Sequence, residues 1–332
     1  MKVAVIGAAG HTGRFVVDEL LRRGFAPIAI GRDEQRLRER IAPNHVEIRI
    51  ASLEDPSTLD RALVDAEAVV NTAGPFLDTS QAVIEAALRA GAHYFDVTAE
   101  QGSTQASFDR YDVPARERGV VVVPAAGFYG ALGDLLATAA LGNWSHAHEI
   151  RTAVALDHWW PTRGTRRTGE RNTLPKVAVR NGTFAKIGPS SATTWVFPKP
   201  FGLQHVVELP LSETILMARH LQVPEIRHFI NETPLRDLHD AATPEPRAAD
   251  EHGRSAQTFV VESIVRNGAE TRWLVASGRD IYAITAPIVV EAVERVLRGE
   301  VQRSGAFAPA EIFEPLNFLQ ALTSHELRIS NS

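Results

Sequence analysis

The sequence predicts an α/β protein with a doubly wound parallel sheet, followed by a second α+β domain with an antiparallel-rich sheet. Two observations predict the first part: short apolar strands alternate with helical patterns, and the first strand runs into a glycine-rich turn, VIGAAGHTGR. The third observation is a change of pattern after residue 142, where longer strands interrupted by Pro and Gly replace the alternation. At 332 residues the chain is long enough for two domains.

The first part contains six predicted strands, at 2–6, 28–30, 46–50, 68–71, 94–97 and 119–124. Helical patterns follow them at 15–23, 34–41, 55–66, 79–90, 104–118 and 133–141. Right-handed β-α-β crossovers leave few topologies for such a series, which is why we expect a doubly wound parallel sheet.

The second part is less regular. Strands are predicted at 149–160, 176–184, 193–196 and 206–209, and residues 259–277 predict a hairpin that turns at Asn267-Gly268. Helical patterns return at 287–297 and 309–322. We expect domains at 1–142 and 143–283, with residues 284–332 forming C-terminal helices that return to the first domain.

The composition excludes several classes of function. The net charge of −5 creates no basic field for nucleic acid, and the absence of cysteine excludes disulfides, thiolate nucleophiles and sulfur-ligated zinc. The first strand begins at Lys2, and no apolar run approaches the ~18 residues of a membrane helix, so we expect no leader and no membrane segment. A cytoplasmic protein without a nucleic-acid partner is the expectation.

The glycine-rich turn has the spacing G-x-x-G-x-x-G. In this context Gly7 permits the tight turn, Gly10 lets a phosphate approach the backbone, and Gly13 allows close packing of the helix. Backbone N–H groups and the helix N-terminus then favour the pyrophosphate of a dinucleotide. The alternative is a tight strand-to-helix turn without a ligand.

The end of the second strand indicates which dinucleotide is bound. NAD sites usually place a carboxylate there for the ribose hydroxyl, whereas this chain has Arg32, with Arg36 one helical turn later. A guanidinium pairs well with a 2′-phosphate, so NADP is favoured and NAD is less likely. The neighbouring Asp33 is a carboxylate of the kind that NAD sites use, so NAD stays an alternative. Arg36 could equally lie on a solvated helix face.

The end of the fourth strand, VVNTAGPF, lies at the predicted switch point of the sheet, where ligands of such folds bind. We therefore expect Asn71, Thr72 and the backbone of Ala73, Gly74 and Pro75 to run past the ribose and nicotinamide. An ordinary Gly-Pro turn is the alternative.

Five segments resemble the saccharopine dehydrogenase-like NADP-binding family, which includes the trans-acting enoyl reductases. They are GAAGHTGR, GRDEQRL, VVNTAGPF, GAHYFDVTAE and VVPAAGFYGALGDLLA, all within about residues 1–141. The resemblance implies a Rossmann domain that binds a nicotinamide cofactor, a second domain that covers the site and often forms dimers, and hydride transfer to a C=N or C=C bond. By position, it assigns the pyrophosphate to Gly7, Ala9, Gly10, Thr12 and Gly13, the adenosine phosphate to Arg32, and the nicotinamide side to residues 72–76. We add His11 and Thr98 to the predicted cofactor site.

Two departures from the family pattern leave the substrate unassigned. Ala99 stands where the enoyl reductases usually have Gly, and Phe128-Tyr129-Gly130 replaces their Phe-Asp-Ser. Both changes lie where substrate should meet cofactor.

Hydride transfer also needs a proton donor or an oriented water. The pairing of Tyr with Lys four residues later is missing, and neither Lys176, Lys186 nor Lys199 stands in a recognisable Schiff-base context. The remaining candidates are Tyr129, Asp96 and Tyr94. Asp96 could instead cap the following helix, and Tyr129 could simply pack under the second domain.

Two further segments have alternative interpretations. The arginine-rich segment 157–171 could close over an anionic substrate or the NADP phosphate, or form an exposed polar loop. His146 and His148 could share a strand face, but no third ligand is near and we predict no metal.

The sequence therefore predicts an NADP-dependent oxidoreductase that acts on a small molecule as a homodimer. The alternative is a catalytically silent NADP-binding sensor or auxiliary protein.

Overall fold

The computed structural model describes residues 1–41, 46–188 and 192–331. Residues 189–191 of the predicted second domain and Ser332 of the last segment lie outside this range. The strands are β1 (Lys2–Ile6), β2 (Ala26–Gly31), β3 (Glu47–Ile50), β4 (Ala68–Asn71), β5 (His93–Asp96), β6 (Val121–Val123), β7 (Glu149–Leu156), β8 (Val177–Arg180), β9 (Thr183–Lys186), β10 (Thr193–Phe197), β11 (Gly202–Glu208), β12 (Glu225–Asn231), β13 (Thr258–Asn267), β14 (Glu270–Arg279), β15 (Gly305–Ala306) and β16 (Arg328–Ser330).

The helices flank two sheets. They are α1 (His11–Arg22), α2 (Glu34–Ile41), α3 (Pro56–Ala62), α4 (Phe76–Ala90), α5 (Gln101–Arg118), α6 (Gly133–Leu141), α7 (Arg163–Arg171), α8 (Ser212–His220), α9 (Glu232–His239), α10 (Ile281–Leu297), α11 (Pro309–Ile312) and α12 (Pro315–Ala321). A kinked turn at Phe128–Leu132, in which Tyr129 and Gly130 have non-helical backbone angles, joins β6 to α6.

The first sheet is parallel throughout, with the strand order β15-β6-β5-β4-β1-β2-β3. Its six N-terminal strands are those that the sequence predicts, and the fold class is confirmed. The seventh, β15, comes from the C-terminal part of the chain and pairs with β6. The order reverses between β1 and β4, so the carboxyl ends of these two strands flank the switch point.

Both faces of this sheet are buried, which explains why its strands are apolar on both sides. Val3 and Val5 of β1 pack on the face covered by α1 and α10. Ala4 and Ile6 pack on the opposite face, in a cluster that includes residues of α3, α4 and α5.

The second sheet has nine described strands, and its main order is β10-β11-β12-β7-β13-β14-β16. Only the β12–β7 pair is parallel among these strands, while β8 and β9 form a hairpin attached to β12. The predicted antiparallel-rich sheet is confirmed. Asn267 pairs with Glu270 at the end of the β13–β14 hairpin, with Gly268 at φ +61°, as the Asn-Gly turn predicts.

Several elements of the second part differ from the predictions. The strand predicted at 149–160 ends at Leu156, and the segment expected as a loop contains helix α7. The 176–184 strand divides into β8 and β9, because Asn181 and Gly182 turn the chain with positive φ. Helices α8 and α9 and strand β12 lack a clear sequence signal: residues 212–217 of α8 are all buried, so no amphipathic period marks it.

Hydrogen bonds join the elements that surround the first sheet to elements of the second part. Gln101 of α5 exchanges two hydrogen bonds with the backbone of Val177, at 2.8 and 2.9 Å. Thr104 Oγ1 donates to Ser212 Oγ at 2.9 Å, joining α5 to α8. No helix in the described part of the chain is long and apolar enough to cross a membrane.

Candidate active site

The glycine-rich turn connects β1 to α1 at the carboxyl edge of the parallel sheet. Gly7 has φ +79°, a conformation that side chains disfavour. A Cβ at Gly13 would lie 2.4 Å from the Gly7 carbonyl oxygen and 2.9 Å from the Ala8 Cα, so only glycine allows the helix to pack this closely. The conformational roles that the sequence suggests for Gly7 and Gly13 therefore match the geometry.

The start of α1 is open to a ligand. Its N-cap residue is Gly10, which has no side chain to accept the first N–H groups of the helix, and no acidic residue occupies the first turn. The unsatisfied donors and the positive end of the helix dipole favour an anion at this place. A phosphate fits these residues.

A cleft of about 840 Å³ opens above this turn. Ten of the predicted cofactor residues line it: Gly7, Ala9, Gly10, His11, Thr12, Arg32, Arg36, Thr72, Ala73 and Gly74. Gly13 is buried beneath the turn. The remaining lining residues are Arg14, Gly31, Asp33, Gln35, Leu37, Glu39, Arg40, Thr162, Arg163, Gly164, Arg167 and Glu245.

The cleft is strongly cationic. Six arginines line it against three carboxylates, and each carboxylate already has a hydrogen-bond donor. Asp33 accepts from the backbone N–H of Arg36 at 3.0 Å, Glu39 from Gln35 Nε2 at 2.8 Å, and Glu245 from Arg163 Nε at 2.9 Å. The side chains of Arg32, Arg36, Arg40 and Arg167 form no ion pair within residues 1–41, 46–188 and 192–331. The positive charge of these four arginines is therefore not neutralised by a carboxylate of the described residues and is available to a bound anion.

Two buried polar atoms of the cleft residues have no partner among the described residues: His11 Nε2 and Arg14 Nε. Burial lowers the pKa of His11, and burial together with Arg40 lowers the pKa of Arg14. The His11 ring meets the rings of Phe15 and Tyr282 edge-on, each at 5.3 Å. Unsatisfied groups of this kind are typical of a site shaped for a ligand.

Besides Gly13, three predicted cofactor residues do not line the cleft: Pro75, Phe76 and Thr98. Thr98 has an exposed fraction of 0%, and its Oγ1 accepts from the Glu100 backbone N–H at 3.0 Å. Phe76 is buried, while Pro75 precedes it as the N-cap of α4. The side chains of Thr98 and Phe76 thus pack inside the protein, each near the start of a helix.

The predicted catalytic residues Tyr94 and Asp96 lie inside the protein and do not line the cleft. Both have an exposed fraction of 0%. Asp96 Oδ2 accepts from Tyr94 Oη at 2.9 Å, and its Oδ1 accepts from the backbone N–H groups of Thr98 and Ala125 at 3.0 and 2.8 Å. Burial raises the pKa of Asp96 to about 6. With both oxygens engaged, this carboxyl holds the ends of β5 and β6 together.

Tyr129, the third predicted catalytic residue, lies in the kinked turn after β6. Its ring is partly exposed and packs against Phe128 and Trp159, with ring centroids 4.9 and 5.4 Å away, whereas its Oη is buried without a described partner. Burial raises the pKa of this phenol well above its ordinary value. Tyr129 therefore holds its proton at neutral pH and has no competing acceptor.

A group of acid and base side chains near Tyr129 was missed by the sequence analysis. Glu213, at the start of α8, is 5% exposed, and its Oε2 has no partner among the described residues. Burial raises the pKa of Glu213 to about 7, against the opposing charge of Lys176. Burial likewise lowers the pKa of Lys176, which the charges of Glu100 and Glu213 oppose. These residues come from distant parts of the sequence, so no local motif could have revealed the group.

Glu100 has a structural role in this group. Its two carboxyl oxygens accept from the backbone N–H groups of Phe76 and Leu77 at 2.7 and 3.1 Å, which caps α4. Burial nevertheless raises its pKa.

The arginine-rich segment adopts helix α7 rather than a loop, and it lines the cleft through Thr162, Arg163, Gly164 and Arg167. Arg14 and Arg40 also line the cleft without having been predicted to do so; Arg14 lies on α1, one residue before the predicted helical pattern, and Arg40 lies on α2. The helical period from Arg32 and Arg36 to Arg40 was a signal for Arg40.

His146 and His148 lie before β7, with ring centroids 6.3 Å apart. His148 Nδ1 accepts from the backbone N–H of Gly268 at 3.0 Å. Among the described residues, no group of three His, Asp or Glu side chains could hold a metal ion.

Sequence comparisons find a family model and relatives that each match part of the chain. A family model described as NAD(P)H-binding matches residues 7–114. The lipid droplet localized protein of Caenorhabditis elegans is 30% identical over 146 residues, covering 40% of this chain and 34% of that protein. The saccharopine dehydrogenase-like oxidoreductase of Bos taurus is 28% identical over 152 residues, covering 40% and 35%. A trans-acting enoyl reductase of Mycobacterium tuberculosis is 30% identical over 140 residues, covering 40% and 34%.

The matched segment thus spans about a third of the length of these relatives. A comparison of structures covers the whole chain. The apo saccharopine dehydrogenase (L-Glu forming) of Saccharomyces cerevisiae superposes with a TM-score of 0.68 over 99% of each chain, at 13% identity, and so shares the fold. The resemblance is thereby confirmed: the chain joins an NAD(P)H-binding domain, related in sequence to saccharopine dehydrogenase-like oxidoreductases and trans-acting enoyl reductases, to a second domain in the saccharopine dehydrogenase fold.

Proposed function

We propose that this protein is an NADP-dependent oxidoreductase that transfers hydride to a C=N or C=C bond of a small-molecule substrate. The observation that carries the proposal is the cleft above the glycine-rich turn, where an open helix N-terminus faces arginines without carboxylate partners. The NAD(P)H-binding match over residues 7–114 supports the same conclusion.

The preference for NADP over NAD follows from the residues after β2. Arg32 and Arg36 are exposed at the cleft, and neither side chain has an ion-pair partner among the described residues. Asp33, the carboxylate that left NAD open, accepts from the Arg36 backbone N–H and so caps α2. A guanidinium pair at this place suits a 2′-phosphate better than a ribose hydroxyl.

The cofactor would supply the hydride. The chain's own residues would bind the cofactor, orient the substrate and protonate it. We assign the pyrophosphate to residues 7–13, the 2′-phosphate to Arg32 and Arg36, and the nicotinamide side to residues 72–74. The contacts that would orient the substrate belong to the second domain.

Tyr129 is the proposed proton donor. It carries a phenolic proton with no competing partner, and the Glu213 carboxyl, whose pKa of about 7 suits proton exchange at neutral pH, is the proposed source of its replacement. The charge of Glu213 raises the pKa of Tyr129, so the two groups are electrostatically coupled. A cytoplasmic homodimer remains part of the proposal, and sedimentation of the purified protein would test its dimeric state.

The test is transfer of a label. The purified protein is incubated with NADPH that carries deuterium at the transferable position, together with panels of imines and of α,β-unsaturated thioesters. Substrate-dependent oxidation with deuterium in the product is the expected result, and the panel that reacts distinguishes C=N from C=C reduction. Tight NADPH binding without transfer to either panel would contradict the proposal and favour the catalytically silent NADP-binding protein.

A further inference from the structure

Helix α7 belongs to the second domain but forms part of the cofactor cleft. Its sequence, RGTRRTGER, places four arginines in nine residues, and none of the nine is buried. Hydrophobic burial therefore does not explain why a helix lies here. Thr162, Arg163, Gly164 and Arg167 line the same cleft as the glycine-rich turn.

We propose that α7 completes the phosphate-binding site from the second domain, with Arg167 supplying a cation to a phosphate of the dinucleotide. This inference rests on the proposed function, because it takes NADP as the occupant of the cleft. It adds a binding residue outside the Rossmann domain and makes the cofactor site a product of both domains.

The other arginines of α7 are already engaged. Arg163 pairs with Glu245 at 2.9 Å, and Arg171 pairs with Asp78 of α4 at 2.9 Å. Arg166 donates to three backbone carbonyl oxygens of residues 238, 240 and 243, at 3.3, 3.2 and 2.9 Å. Within the described residues, Arg167 is the member of this set that lines the cleft without a carboxylate or carbonyl partner.

The helix is held against the cofactor-binding elements at several points. A Cβ at Gly74 would lie 2.9 Å from Thr168 Oγ1, so α7 packs directly on the turn after β4. The Arg171–Asp78 pair fixes the end of α7 to α4. These contacts hold the part of α7 that directly follows Arg167 against the cofactor-binding elements.

The start of α7 is linked to the glycine-rich turn through Tyr282. Tyr282 Oη lies 2.8 Å from Thr165 Oγ1 and accepts from Trp159 Nε1 at 2.9 Å, while its ring meets His11 edge-on at 5.3 Å. A ligand that orders the turn around His11 therefore also stabilises the position of α7. Binding of a phosphate should restrain the helix as a whole.

The test compares Arg167→Gln with Arg118→Gln. Arg118 is an exposed arginine at the end of α5, beside the opposite edge of the sheet, so its removal controls for the loss of one positive charge. Fluorescence titration with NADPH should show a dissociation constant raised about tenfold for Arg167→Gln, as expected for a charge-assisted hydrogen bond. Arg118→Gln should stay within about twofold of the native value, since distant exposed charges are screened.

A second measurement does not depend on the variant. Hydrogen–deuterium exchange of the backbone amides of residues 163–171 in the native protein should slow when NADPH is added at saturation. Unchanged exchange, or unchanged NADPH affinity in a folded Arg167→Gln variant, would overturn the inference. If only the Michaelis constant of an anionic substrate rose, Arg167 would serve the substrate and the inference would also fail. A native protein that does not bind NADPH would instead contradict the proposed function.

Discussion

Arg23 has surroundings opposite to those of Arg32 and Arg36. Arg23, at the end of α1, is 9% exposed and contacts three carboxylates: Glu19 Oε1 at 2.6 Å, Glu291 Oε2 at 2.5 Å and Glu294 Oε2 at 2.6 Å. Arg32 and Arg36, at the opposite edge of the same sheet, are exposed and have no ion-pair partner among the described residues. Arg23 joins α1 to α10, whereas Arg32 and Arg36 face the cleft.

The comparison distinguishes an arginine that stabilises the fold from arginines whose charge is available to a ligand. Hydrogen bonds to three carboxylates raise the pKa of Arg23 despite its burial, so the folded protein keeps this guanidinium charged and bound. Arg14, in the cleft, shows the opposite shift: burial and the nearby Arg40 lower its pKa. Bringing arginines together without carboxylates costs free energy, which a phosphate would recover.

The largest expected effect comes from Arg23→Ala. Removal of the shared cation leaves three partly buried carboxylates close together, and breaking a buried pair in this way costs about 3 to 5 kcal/mol of the free energy of unfolding. Urea denaturation would measure this loss. Arg22→Ala is the matched control, because Arg22 also contacts Glu19 but its side chain is 56% exposed; it should cost less than about 1 kcal/mol. Equal losses for the two variants would contradict the structural role of the Arg23 cluster.

The second prediction concerns Glu213, a buried carboxyl with an unpaired oxygen. Its pKa is raised from 4.5 to about 7, so between these pH values the folded protein binds more protons than the unfolded chain, and Glu213 makes stability fall as pH rises. Glu213→Gln removes this penalty. Its free energy of unfolding relative to the native protein should therefore rise between pH 4.5 and pH 7, by up to about 3 kcal/mol.

Urea denaturation at pH 5 and pH 8 would measure this change. The exposed Glu117→Gln serves as the control and should shift stability equally at both pH values. A Glu213→Gln effect that is the same at pH 5 and pH 8 would show that the carboxyl titrates normally in the folded protein.

A smaller effect is expected from Arg32→Ala. Its side chain has no partner in the described part of the chain, so the free energy of unfolding should change by less than about 0.5 kcal/mol. The loss of a charge-assisted contact to the 2′-phosphate should weaken NADPH binding by roughly tenfold to a hundredfold. NADH binding should be unaffected. An equal loss for both cofactors would place Arg32 against another part of the dinucleotide.

Much of the Rossmann domain follows from local sequence patterns. The apolar strands, the glycine spacing and the arginines after β2 each act within a few residues, so the turn and most of the cleft could be predicted. Helix α7 could not, because it has no buried residue and hence no apolar period. The burial of Tyr94 and Asp96 could not be predicted either, because alternation along a strand does not reveal that a carboxyl will accept hydrogen bonds from two backbone N–H groups and a phenol.

The proximity of Glu213 to Lys176 and Tyr129 could not be predicted for a different reason. Helix α8, which carries Glu213, packs on the kinked turn that holds Tyr129 and also on β8, which directly follows Lys176; these parts of the chain lie far apart in sequence. Only the tertiary structure creates their shared burial, and with it the shifted pKa values.

We propose that Arg32 and Arg36 recognise the 2′-phosphate, which NADPH has and NADH lacks. Titration of the native protein with each cofactor, followed by fluorescence under the same buffer and salt conditions, tests this recognition. We predict a dissociation constant for NADPH at least about tenfold below that for NADH, the ratio expected of one charge-assisted contact. Equal dissociation constants for the two cofactors would contradict it.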